Sequence, residues 1–125
     1  MTNRAPSVLS ISYDESLLRT RELILKSAGF NVTSALGFTQ ATAQCRDSSF
    51  DLVIAGHSLP WSDKAALVQE VRKHNHTRIL GLRRHGEEPA PDLDHSIESF
   101  TPHELLRAVR TVLGKSASAS AGGND

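Results

Sequence analysis

A chain of 125 residues that is 38% hydrophobic and 22% charged has the size and composition of one globular domain around one core. Fourteen basic residues balance fourteen acidic ones, so no broad field draws it to nucleic acid or to an anionic membrane, and the clusters Arg72-Lys73-His74 and Arg83-Arg84-His85 are small for a nucleic-acid footprint. Cys45 stands alone, which excludes an internal disulfide and any metal site built on paired cysteines.

The opening MTNRAPS is short and polar, no apolar segment follows it, and no run reaches membrane-spanning length, so a cytoplasmic location is expected. Residues 7 to 12, SVLSIS, form a β-prone run that ends at Tyr13-Asp14-Glu15-Ser16. A helical pattern follows, with Leu17, Leu18, Ile24, Leu25 and Ala28 on one face, Asp14 or Ser16 as the cap, Gly29 as the stop and Leu23 off the stripe. FNVTSA, residues 30 to 35, predicts a second strand, and after Gly37 the run TQATAQCRDS predicts a weaker helix of small residues.

FDLVIAGHSLPW, residues 50 to 61, predicts a buried strand running into Gly56. Past Pro60 and Ser62-Asp63 a helix is expected to turn Ala66, Leu67 and Val71 inward and to fade at HNHT. RILGL, residues 78 to 82, predicts a fourth strand, and SIESF, residues 96 to 100, a short fifth. Between them, RRHGEEPAPDLDH (83 to 95) has one glycine and two prolines and no helical pattern. A parallel crossover ordinarily contains a helix, so an irregular loop is expected where one would cover the sheet. Thr101-Pro102-His103-Glu104 is a capping box with proline at the first helical position. Leu105, Leu106, Val109, Val112 and Leu113 form the buried face of that last helix, and Gly114 is expected to end it. The domain is therefore drawn as 1–114, with KSASASAGGND (115–125) as a disordered Ser/Ala/Gly tail.

Strands alternating with helices at this spacing predict a three-layer α/β fold, a doubly wound parallel sheet of five strands. Sites in such sheets lie at the carboxyl ends of the strands. The residues to watch are Tyr13 to Glu15, Gly37, Gly56 to Trp61, Arg83, Arg84, Glu98 and Ser99.

The order of motifs, VLSISYDES, SAGFNV, ALGFTQA, FDLVIAGHSLPWSD and FTPHELLRAVRTVL, resembles the receiver domain of two-component response regulators over residues 7 to 114. The resemblance implies a flavodoxin-like receiver (CheY-like) fold, from which the loop expected over 83 to 95 departs by leaving helix 4 shortened or missing. It also implies a site for aspartyl phosphorylation, in which a carboxylate ending the third strand attacks a phosphoryl group. Magnesium held by acidic residues after the first strand, a hydroxyl after the fourth and a lysine after the fifth then neutralise the oxygens. By position the nucleophile is Gly56, the acidic pair is Tyr13 and Asp14 with Glu15 following, the hydroxyl is Arg83 and the lysine is Glu98, followed by Ser99 where proline is usual. His95 takes the place of the fifth strand's aromatic switch residue. This degenerate phosphorylation site is expected to bind magnesium weakly or not at all, since Asp14 and Glu15 alone make a poor octahedral set, and no other cofactor is implied. Arg83, Glu98 and Asp14 are expected to form an ion-pair cluster filling the phosphate pocket, worth about 0–1 kcal/mol if exposed.

Other residues carry plainer readings. Asp51 lies at the start of the third strand, far from the crevice, and Asp63 suits a helix cap. His57 sits in the crevice loop, where it is a solvated loop histidine, a phosphoryl acceptor or a ligand contact. His74 and His76 suit a helix end better than a metal. Ser58 lacks a nucleophile elbow, and no catalytic triad or phosphate-binding glycine loop is legible, so no enzyme is expected. Trp61 either packs on Leu59 or anchors a partner, and His57, Trp61, Arg84 and His95 are the candidate partner or ligand contacts. The reading is a pseudo-receiver acting in signal transduction through phosphorylation-independent protein–protein interaction. Its partner is a histidine kinase, another receiver or an output domain. The alternatives are a phosphorelay receiver with a non-standard acceptor and a small-anion sensor using the vacant crevice.

Overall fold

The computed structural model describes residues 5–74, 77–98 and 101–122, with backbone alone at 74 and 115–122. In chain order the elements are β1 (Ser7–Ser12), α1 (Glu15–Ser27), β2 (Asn31–Leu36), α2 (Gly37–Asp47), β3 (Leu52–Ala55), α3 (Trp61–His74), β4 (Arg78–Leu82), β5 (His95–Ile97) and α4 (Pro102–Gly122). The strands form one parallel sheet in the order β2-β1-β3-β4-β5. The chain starts in the sheet's interior, builds outward to β2, then crosses to β3. This reversal opens a crevice beyond the carboxyl ends of β1 and β3.

Both faces of the sheet are apolar because both are covered. On one, Leu9, Ile11, Val53, Ala55 and Ile79 pack with α2 and α3 residues including Ala41, Leu67, Val68 and Val71. On the other, Val8, Leu52, Ile54, Leu80 and Leu82 pack with Leu25 of α1 and with Leu105, Val109 and Val112 of α4. Alternating strand residues thus feed opposite cores, as the pleat requires.

α1 is capped by Asp14, whose carboxylate accepts the Leu17 N–H at 3.1 Å. Its inward stripe holds Leu18 and Leu25, and between them Arg21, which is 2% exposed. α3 shows a similar feature. Its inward stripe is Lys64, Leu67, Val68 and Val71, whereas Ala66, expected inside, is exposed. Positions 64, 67, 68 and 71 stand at i, i+3, i+4 and i+7 and share one face, and 66 lies off it.

Segment 83–94 contains no helix, as its prolines predict. It lies on the sheet as a strap, with Leu93 over Gly81 in β4, where a Cβ would stand 2.5 Å from Leu93 Cδ1. Two boundaries differ from the sequence reading. β5 begins at His95 and ends at Ile97, because Asp94 N–H already bonds the Ile79 carbonyl at 3.0 Å and brings the chain into register early; Ser99 and Phe100 lie outside the described residues. α4 continues past Gly114 to Gly122, so the expected tail is helical backbone over 115–122, and 123–125 lie outside the described residues. One interior glycine costs a helix about 1 kcal/mol, which the flanking leucine, lysine, alanine and serine residues tolerate. Among the described residues no helix is long and apolar enough to cross a membrane.

Candidate functional site

The register pairs Ile11 of β1 with Ala55 of β3, so Ser12 and Tyr13 stand beside Gly56 and His57 at the crevice. Gly56 is buried and donates its N–H to the Ile11 carbonyl at 2.9 Å. There is no room for a side chain. A Cβ at this position would lie 2.6 Å from the Ile11 carbonyl oxygen and 2.8 Å from Arg21 Nη1. The guanidinium of α1 thus occupies the space into which a residue at 56 would project.

Arg21 Nη2 lies 3.1 Å from His57 Nδ1. A guanidinium only donates, so Nδ1 accepts and the ring proton sits on Nε2. Burial first, then the charges of Arg21, Arg84 and Lys64, outweigh Glu87 and hold the His57 pKa below its ordinary value. Burial likewise depresses the Arg21 pKa, opposed by the Asp14 carboxylate.

Around this pair the loops are stitched together by small polar groups. Ser58 Oγ meets Ser12 Oγ at 2.9 Å and accepts the Tyr13 N–H at 2.8 Å, and Asp14 N–H donates to Ser12 Oγ at 2.9 Å. Tyr13 is 47% exposed, yet its hydroxyl donates to Asp63 Oδ2 at 2.7 Å and accepts the Phe38 N–H at 3.4 Å. The bond to Asp63 is the main reason its pKa is raised. Its ring lies over Gly37, whose φ of +89° favours glycine and where a Cβ would be 2.9 Å from Tyr13 Cε1. Asp63, expected as a helix cap, is therefore in the first turn of α3 as Tyr13's acceptor.

The expected Arg83–Glu98–Asp14 cluster does not form. Arg83 Nη1 donates to Ser96 Oγ at 2.7 Å, Glu98 Oε1 lies 3.2 Å from His85 Nδ1, and Asp14 is spent on the α1 cap. The short β5 decides this: Arg83 N–H bonds the Ile97 carbonyl at 2.9 Å, which aligns the Arg83 side chain with Ser96 rather than with Glu98. The His85 contact is the main reason the Glu98 pKa is lowered.

Lysine has nevertheless reached this end of the sheet, from α3. Lys64 is 2% exposed, and its Nζ donates to the Leu82 carbonyl at 2.8 Å and to Glu87 Oε2 at 3.2 Å. Burial pushes the Glu87 pKa up, but the Arg84 N–H and the Lys64 ammonium together hold it below its usual value. Trp61 is 44% exposed and its Nε1 donates to the Pro89 carbonyl at 3.3 Å. Arg84 is exposed beside Glu87, and His95 lines a shallow depression with Ile97, Glu104, Arg107, Ala108 and Thr111. Glu15 is exposed in the first turn of α1. Asp51 is at the far edge of the sheet, accepting the Ser7 N–H at 2.8 Å. The His74 side chain and His76 lie outside the described residues. No metal-holding group of three or more His, Cys, Asp or Glu occurs among the described residues.

Solved receiver structures superimpose on this architecture. A response-regulator receiver domain protein (CheY-like) from Methanospirillum hungatei matches with a TM-score of 0.82 at 17% identity, covering 93% of this chain and 99% of that one. A putative response regulator from Chloroflexus aurantiacus matches with a TM-score of 0.78 at 26% identity, covering 89% and 99%. The chain has the receiver-domain fold. Curated relatives agree with the resemblance read from the sequence. The transcriptional regulatory protein ResD of Bacillus subtilis is 21% identical over 90% of this chain and 50% of its own length. The probable transcriptional regulator ycf27 of Porphyridium aerugineum is 29% identical over 94% and 52%. The chain spans about half the length of these relatives. No protein-family model matches it.

Against a receiver's expected magnesium site, the donors present do not fit. Position 56 offers no side-chain oxygen, Asp14 caps α1, the Tyr13 hydroxyl bonds Asp63, and the Arg21 cation stands beside Gly56. Sequence reasoning missed Arg21 and Lys64. Both carry the same signal, a long cation on the apolar stripe of an amphipathic helix, at i+3 from Leu18 and i−3 from Leu67.

Proposed function

We infer that this receiver-type domain is a non-enzymatic signalling module that works without aspartyl phosphorylation, by binding a protein partner. The observation that carries the reading is the approach of Arg21 Nη1 to within 2.8 Å of a Cβ at Gly56. In place of a nucleophile and its divalent ion, the crevice holds a cation supplied by the chain. Magnesium requires near-octahedral oxygen ligation and gains nothing beside a guanidinium, so its binding is lost or weak. The redeployment of Asp14, Arg83 and Glu98 supports the same conclusion, because each has a structural partner of its own. The partner is an output domain, a histidine kinase or another receiver, and the transcriptional regulators it resembles are about twice its length.

The cations around His57 favour anion recognition as a second reading. It is the weaker one, since Arg21 and Lys64 are buried and Arg84 alone is exposed. Phosphoryl transfer to His57 is disfavoured because Nδ1, the nitrogen with the lone pair, faces Arg21. Incubation with acetyl phosphate and magnesium, followed by intact mass measurement, tests the main reading. The expected result is an unchanged mass; an adduct of one phosphate overturns it.

A further inference from the structure

The strap over residues 83–94 is fastened by α3 along one side, and by β4 at its end, where Asp94 N–H bonds the Ile79 carbonyl at 3.0 Å and the Asp94 carboxylate accepts the Ile79 N–H at 2.6 Å. Trp61 Nε1 donates to the Pro89 carbonyl at 3.3 Å. One turn on, Lys64 bridges the Leu82 carbonyl at the end of β4 and Glu87 in the strap. At the far end Arg72 donates to the Asp92 carbonyl at 2.9 Å and to Asp94 Oδ2 at 3.0 Å. Glu87 also accepts the Arg84 N–H at 2.9 Å, so one carboxylate closes the strap's own turn and receives the lysine. Underneath, Ala90 is buried and Leu93 fills the space above Gly81. The strap's other side is joined to β5 through Arg83 to Ser96 and His85 to Glu98.

A buried ammonium with one carboxylate and one carbonyl is poorly replaced by water. If the strap lifts, the Lys64 ammonium loses the Glu87 carboxylate and keeps only the Leu82 carbonyl at the end of β4. An opening that leaves a buried charge without its partner is much less favourable than lifting an ordinary surface loop. We propose that Lys64 and Glu87 form a conformational lock that holds the strap in a single arrangement, so that this end of the sheet opens only when the domain as a whole unfolds. The lock makes this end of the sheet a one-state structure. This inference goes beyond the reading of the crevice and does not depend on which partner binds.

Amide hydrogen exchange tests it. In the native chain the N–H groups of Arg83, Glu87 and Asp94, bonded to Ile97, Arg84 and Ile79, are expected to exchange together with that of Gly56, at the rate of global opening. Glu87→Gln keeps the shape and removes the charge, and is expected to speed the strap amides relative to Gly56 by about tenfold. Lys64→Met is expected to do the same, while Glu88→Gln, an exposed acid one residue away, leaves them unchanged. If Lys64→Met does not fold, Glu87→Gln decides alone. The lock is overturned if native strap amides exchange well ahead of Gly56, or if Glu87→Gln accelerates them by less than about threefold.

Discussion

Gly56→Asp is expected to destabilise the domain by about 1–3 kcal/mol and to acquire no phosphoryl group from acetyl phosphate. The obstacle begins at the first atom of the side chain. A Cβ at 56 lies 2.6 Å from the Ile11 carbonyl oxygen, and that oxygen belongs to β1, an interior strand, and accepts the Gly56 N–H. A flexible side chain can swing away from such a clash, but the backbone of β1 cannot move without disturbing its pairing with β2 and β3. Gly56→Ala is therefore expected to bear most of the same loss, which chemical denaturation of both variants measures. The aspartate recovers part of it by its attraction to Arg21. That attraction is also why the carboxylate fails as a nucleophile: it would be neutralised by a guanidinium instead of being shared between a divalent ion and a phosphoryl group. The remaining helpers are absent from their posts, with Arg83 on Ser96 and Glu98 on His85. Equal stability of Gly56→Ala and the native chain would show that the tight approach at 56 is not real.

Arg21→Ala is the second large effect, about 2–4 kcal/mol of lost stability. Two terms oppose one another. Removing a buried guanidinium relieves its desolvation cost, the same burial that depresses its pKa. Truncation to alanine also deletes the long stem that packs between Leu18 and Leu25 and opens a cavity under α1 against Gly56, and in a close-packed interior that loss dominates. Arg21→Met separates the terms. It keeps most of the volume, discards the charge, and is expected to lie within about 1 kcal/mol of the native chain. In a double-mutant cycle Arg21→Ala should relieve the part of the Gly56→Ala penalty due to Nη1 and leave the part due to the Ile11 oxygen. Thermal unfolding of the four proteins checks the sign. A methionine variant as unstable as the alanine variant would mean that the polar contacts of Arg21, and not its bulk, fasten the crevice.

The layered fold was legible because local signals agreed with one another. The strand cores 7–12 and 78–82, the Asp14 cap and the Thr101–Glu104 capping box all stand where their residues indicate. The missing helix was legible in the prolines of 83–95 for the same reason. What failed was the side-chain pairing at the crevice. Arg83 and Glu98 have complementary charges and neighbouring strand ends, but β5 enters its register at His95 and hands each of them another partner. Charge complementarity read along a chain cannot decide a register that depends on a three-residue strand. Arg21 and Lys64 were overlooked for a different reason. A cation on an apolar helix face is ordinarily assigned to the surface, where its stem lies along the core and its head reaches water. Here the heads turn inward, toward the place of a missing side chain at 56 and toward the carbonyl end of β4. Only the three-dimensional neighbourhood of Gly56 shows that the space left by one residue is filled by another, 35 positions earlier in the chain.

The most direct test of a crevice filled from within is amide NMR of the native chain titrated with magnesium and then with acetyl phosphate. The account predicts that the signals of Tyr13, Asp14, Gly56, His57 and Arg83 stay in place through millimolar concentrations of both. Saturable shifts centred on Asp14 and Gly56 would mean that a divalent ion displaces the Arg21 guanidinium, and would contradict it.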